Sequence, residues 1–197
     1  MKVLVIGATG TIGAAVAHAL AARHEVMRAS RNGAVPVDVG DTASLDALFA
    51  SVNDIDAVVC CAASVPLVPF GSQSDADFAA SLQGKLLGQI GIVRRALHHV
   101  RDGGSITLTS GKFVAPIPGS SAGALANAGL EAFVRHVAIE MPRGLRINVV
   151  GPGWVRETLV KLGMDPTVGT PVRDVANACV SAVEGSMQGE ILVPARA

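Results

Sequence analysis

The chain has 197 residues, half of them apolar, with 16 basic and 16 acidic residues and a formal net charge of zero. That length suits one domain with a substantial core, and without a block of five like charges nothing offers a footprint for nucleic acid. The longest apolar run, Ala57 to Phe70, is broken by Ser64, Pro66 and Pro69 before it reaches the ~18–20 residues that a bilayer requires, and three cysteines without a Cys-x-x-Cys spacing point to a reduced, cytoplasmic protein.

From the amino end, Met1-Lys2 and the apolar residues after it have the outline of a secretory signal. Regularly spaced Gly7, Gly10 and Gly13 would weaken such a helix, so a strand (KVLVI, 2–6) followed by a loop is the better reading. A helix over 11–23 follows, then strands HEVMRA (24–29) and AVPVD (34–38). Helix 42–52 opens with DTASLDALF, where Asp41 or Thr42 can cap the free N–H groups. Strand DAVVCC (56–61) sets Cys60 and Cys61 on opposite faces. A long helix over 74–100 contains Gly84, Gly88 and Gly91, which implies a close approach by another helix, a partner subunit or a ligand. Its end carries Arg94, Arg95, His98, His99 and Arg101, positive charge that complements the helix dipole. Strand SITLT (105–109), helix 121–141, strand LRINVV (145–150), helix 172–184 and strand EILVP (190–194) complete the chain. Apolar strands alternating with helices predict an α/β fold: one doubly wound parallel sheet of about seven strands with helices on both faces.

The loop VIGATGTIGAAV places Gly7, Gly10 and Gly13 directly after the first strand and at the start of the first helix. Without Cβ atoms the backbone turns sharply and approaches a diphosphate, which then meets the N–H groups of the helix end. An acidic residue closing the second strand would favour a free 2′-hydroxyl. This strand instead ends in Ser30-Arg31-Asn32, a guanidinium flanked by two further donors, and that suits a 2′-phosphate. The expected cofactor is NADP(H).

With this loop, Asp38-Val39 after the third strand and INVVGPGWVRET at 147–158, the chain resembles the short-chain dehydrogenase/reductase family over essentially its whole length. The resemblance implies a single Rossmann-fold domain spanning residues 1–197. It also implies that Asp38 and Val39 lie against the adenine, and that Pro152, Gly153, Val155 and Thr158 hold the nicotinamide carboxamide. Further contacts carried over by the likeness are Thr9, Thr11 and Ile12 in the loop, Ala62 and Ala63 after the fourth strand, Thr109 closing the fifth, and Lys85. A homodimer or homotetramer through helices 74–100 and 121–141 is implied too. The spacing Gly-x-x-Gly-x-x-Gly is the variant commoner among atypical members.

The resemblance also exposes a departure. Family members that move hydride to or from a carbonyl usually employ Asn, Ser, Tyr and Lys. Matching the elements puts Lys85 at the asparagine, Gly111 at the serine with Ser110 just before it, Gly123 at the tyrosine and Asn127 at the lysine. The chain contains no tyrosine anywhere. Lys85 is the candidate replacement for the acid–base group, because burial beside a nicotinamide would lower its pKa. A lysine that merely bonds a backbone carbonyl is the alternative. Ser110 could orient a substrate oxygen, and Asn127 retains the hydrogen bond to a ribose hydroxyl without the charge. Trp154 either walls the pocket or packs as a lid. No histidine spacing suits a metal. Three functions follow: an NADP(H)-dependent oxidoreductase acting on a small carbonyl or alcohol with a non-standard site, a cofactor-binding sensor or scaffold without turnover, or an isomerase or lyase on the same fold.

Overall fold

A seven-stranded, wholly parallel sheet crosses the molecule in the order β3-β2-β1-β4-β5-β6-β7. The structure, a computed structural model, describes residues 1–63 and 65–194. The strands are β1 (Lys2–Ile6), β2 (Glu25–Ser30), β3 (Val35–Pro36), β4 (Ile55–Cys60), β5 (Val100–Thr109), β6 (Arg146–Val150) and β7 (Ile191–Leu192). The helices are α1 (Thr11–Ala21), α2 (Thr42–Ser51), α3 (Asp75–Leu82), α4 (Gly88–His99), α5 (Ser121–Val137), α6 (Arg156–Lys161) and α7 (Val172–Glu184). This is the expected doubly wound Rossmann architecture.

The two-residue period of the strands divides the core. Leu4 and Ile6 of β1 join residues of α2, α4 and α5 on one face, while Val3 and Val5 join α1 and α7 on the other. Cys60 and Cys61 follow the same rule, the first packed in one cluster and the second against the other. The chain builds β1, β2 and β3 outwards, then returns to lay β4 on the free side of β1. At such a reversal the connecting loops diverge and leave a crevice beyond the carboxyl ends of the strands.

Several boundaries differ from expectation. β3 shrinks to two residues. The long helix is interrupted by a π-helical turn at Gln83–Leu87 and stops at His99, so β5 begins five residues early. Arg101 therefore lies on β5 and pairs with Asp54 and Asp56 instead of serving a helix end. α5 yields to a 3-10 turn at Ala138–Glu140. Helix α6, a six-residue segment, was not anticipated. Asp41 is the cap of α2, accepting the Ala43 N–H at 2.9 Å.

The glycines of the long helix serve packing within the chain. A Cβ at Gly88 would lie 2.4 Å from the Val39 carbonyl oxygen, and one at Gly91 would lie 3.0 Å from the Leu45 side chain. No helix among the described residues is long and apolar enough to cross a membrane.

Candidate active site

The glycine loop takes its shape from contacts that exclude side chains. Gly7 has φ +83°, a left-handed conformation that other residues rarely adopt. A Cβ at Gly13 would fall 2.1 Å from the Gly7 carbonyl oxygen, so the first turn of α1 rests directly on the loop. α1 has neither a side-chain cap nor an acidic residue in its first turn. Its orphan N–H groups and positive dipole end therefore lie uncompensated, the condition that favours an anion.

Two clefts open at the carboxyl ends of the strands. The smaller, about 240 Å³, is lined by Gly7, Thr9, Gly10, Ser30, Arg31, Val37, Val39, Cys61, Ala62 and Ala63. The Nε of Arg31 sits 3.2 Å from Asp38, whose other oxygen accepts the Gly40 N–H at 2.9 Å. Asp38 thus stands beside the guanidinium, outside the cleft lining, and orients Arg31. Asn32 also lies outside the lining.

The larger cleft, about 520 Å³, holds the polar groups Lys85, Ser110, Lys112, Asn127 and Thr158 among Ile12, Phe113, Trp154, Val155, Leu162 and neighbouring residues. Pro152 and Gly153 border it. Lys85 projects from the π-helical turn, and its Nζ donates to the Ser110 carbonyl oxygen at 3.2 Å. Burial lowers its pKa from 10.5 to about 8. Lys85 thus both bonds a backbone carbonyl and faces the cleft. Burial pushes the neighbouring Cys60 thiol up to about 12, which leaves it a neutral residue of the core.

Ser110 is held at three points: its N–H by Val150, its carbonyl by Lys85, and its Oγ, which donates to Glu131 Oε1 at 3.0 Å. Gly151 makes space for that pair, because a Cβ there would lie 2.7 Å from the serine oxygen. The partner of Ser110 is a carboxylate from α5, which sequence reasoning missed although Glu131 is the only charge among residues 120–133. Asn127 is 93% buried, and its Oδ1 has no hydrogen-bond partner. A buried acceptor without a donor costs ~1–3 kcal/mol, so a ligand hydroxyl fits here. Thr109 does not reach either cleft. Its hydroxyl donates to the Cys60 carbonyl at 2.7 Å and its backbone is gripped by Gln89 at 2.9 and 3.0 Å, a strand anchor in place of the expected cofactor contact.

The positions matched to the catalytic serine and tyrosine are filled from elsewhere. A Cβ at Gly111 would stand 3.2 Å from the Asn127 amide nitrogen. One at Gly123 would stand 3.4 Å from the Phe113 ring, which in turn meets Trp154 edge-on at 6.3 Å. Trp154 is therefore a wall of the cleft. Among the described residues no group of three His, Cys, Asp or Glu side chains is placed to hold a metal.

Comparison with known proteins agrees with this architecture. A family profile described as Enoyl-(Acyl carrier protein) reductase matches residues 7–168. Versicolorin reductase 1 of Aspergillus parasiticus is 29% identical, with 78% of this chain and 69% of that protein covered. The NADH enoyl-[acyl-carrier-protein] reductase FabI of Synechocystis is 33% identical, with 62% of this chain and 51% of that protein covered. The crystal structure of the protein lin1944 from Listeria innocua superposes with a TM-score of 0.93 at 36% identity over 98% of both chains. A small-chain dehydrogenase solved in complex with NADPH shares the fold at a TM-score of 0.83 and 24% identity, over 98% of this chain and 95% of that one. Parallel sheet, glycine loop and these likenesses converge, and the chain belongs to the short-chain dehydrogenase/reductase family of oxidoreductases, whose cofactor is a nicotinamide dinucleotide.

Proposed function

We propose that the protein is an NADP(H)-dependent oxidoreductase for a small carbonyl or alcohol substrate, with Lys85 in the acid–base role that a tyrosine ordinarily fills. The observation that carries this reading is the Lys85 ammonium, part-buried in the lining of the larger cleft with one backbone partner and a pKa of about 8. A proton donor works best when its pKa lies near the operating pH. The residues present suit the cofactor: the open glycine loop receives the diphosphate, the terminal nitrogens of Arg31 receive the 2′-phosphate, and the orphan Oδ1 of Asn127 receives a ribose hydroxyl. Neighbours solved with NADPH or NADP support the phosphorylated carrier, although the name of one relative specifies NADH.

When bound, the dinucleotide supplies or removes hydride at the reacting carbon. Lys85 then places a proton on the developing alkoxide oxygen, or takes one from the alcohol in the reverse direction. Ser110, its hydroxyl committed to Glu131, holds the substrate oxygen through its second lone-pair side only if that oxygen carries a proton, so it favours the alcohol form. Phe113, Trp154 and Leu162 keep the apolar part of the substrate against a dry wall.

The test has two arms. NADPH should raise the melting temperature more than NADH, with ~2.7 kcal/mol of stabilisation at 100 times Kd, and equal shifts would discard the role of Arg31. NADPH oxidation is then followed against aldehydes, ketones and quinones, and Lys85→Ala should lose turnover while still binding NADPH. A binding protein without turnover is the second reading, favoured by Phe113 filling the space beside Gly123. Strong NADPH binding with no oxidation of any carbonyl would select it. We also propose a homodimer or homotetramer through α3, α4 and α5, where Leu87 and Leu125 are exposed. Size-exclusion chromatography with light scattering reads that assembly.

A further inference from the structure

One cation near the glycine loop has no place in the sequence reading. Lys161 is the last residue of α6, and its Nζ donates to Thr11 Oγ1 at 2.8 Å, joining positions 150 apart in the chain. Thr11 opens α1, whose first turn is uncapped and contains no acid. A lysine at a helix amino end is electrostatically misplaced, since the ammonium and the dipole carry the same sign there. No carboxylate among the described residues forms an ion pair with Lys161 to offset it. Two independent sources of positive potential therefore converge with only a neutral hydroxyl between them.

We propose that Lys161 is a phosphate-binding residue that clamps the cofactor diphosphate from above, exchanging the Thr11 hydroxyl for a phosphate oxygen when the dinucleotide loads. This rests on the nicotinamide-dinucleotide reading and adds to it a residue from the far end of the chain. The exchange replaces a hydrogen bond from the ammonium to a neutral hydroxyl with one to a phosphate oxygen, in which both partners are charged. It also has a mechanical result. Thr158 and Leu162, one within α6 and one just after it, border the larger cleft, and the Val155–Thr170 bridge and the Glu157 bond to the Val172 N–H at 2.9 Å tie the segment to the body of the protein. Anchoring Lys161 on the diphosphate fixes α6 as the roof of the substrate cleft, so cofactor loading shapes the pocket that the substrate enters.

The experiment is calorimetric titration of wild type, Lys161→Ala and Lys161→Arg with two probes, NADPH and 2′-AMP. 2′-AMP reaches the Arg31 pocket but carries no diphosphate. Lys161→Ala should bind NADPH at least tenfold more weakly and 2′-AMP as wild type does, with Lys161→Arg recovering most of the loss. Hydrogen exchange across 154–164 should slow on NADPH addition in wild type and not in Lys161→Ala. Unchanged NADPH affinity in Lys161→Ala, an equal loss for both probes, or unchanged exchange in wild type on saturation with NADPH would overturn the proposal. Failure of wild type to bind NADPH or NADH would instead overturn the cofactor reading beneath it.

Discussion

Lys85 and Glu131 lie on either side of Ser110, and each makes a distinct prediction. Burial holds Lys85 protonated only below about pH 8, so carbonyl reduction should fall as pH rises through that value and alcohol oxidation should rise. Stopped-flow profiles of wild type against pH check both signs. Glu131→Gln keeps a hydrogen-bonding partner for Ser110, yet its amide nitrogen can no longer accept the serine proton. Substrate KM should change more than NADPH affinity, because Ser110, which Glu131 holds, lines the larger cleft and not the glycine-loop cleft. The place of Lys85 in the larger cleft was legible through the family resemblance, which matched it to the usual asparagine, and its lowered pKa follows from the burial expected there. The Ser110–Glu131 pair was not, since its 21-residue separation acquires meaning only once α5 packs across the end of β5.

At the level of elements, periodicity and end signals carried far. The glycine triplet announced a strand, loop and helix, and Asp41-Thr42 announced the start of α2, with Asp41 the cap the structure selects; Asp41→Ala should cost ~1 kcal/mol in urea denaturation. The breaks in the long helix were hidden. A π-helical turn leaves the apolar spacing almost intact, and the stop at His99 is marked by no glycine or proline. α6 was missed because six residues are too few to show a period. The most consequential glycine in that region is Gly88, whose missing side chain lets α4 touch the Val39 backbone. Gly88→Ala should destabilise by ~1–3 kcal/mol, the usual range for overpacking. It should also weaken 2′-AMP binding, because Val39 lines the smaller cleft.

For the whole molecule, a charge buried on folding leaves a mark on stability. The folded value of Lys85 is lowered, so the unfolded chain binds more protons between about pH 8 and 10.5, and stability from this group rises with pH across that window. Denaturation at both limits should show wild type gaining on Lys85→Met as pH increases. The topology that gathers these groups at one end of the sheet also couples their replacement. Phe113 occupies the room beside Gly123, so installing a phenol there by one substitution forces two rings into one volume. Gly123→Tyr should lower the melting temperature, and adding Phe113→Ala should restore it. A route from this sequence to a tyrosine-bearing site is thus ordered: the Phe113 ring must shrink before a phenol can enter at 123 without crowding.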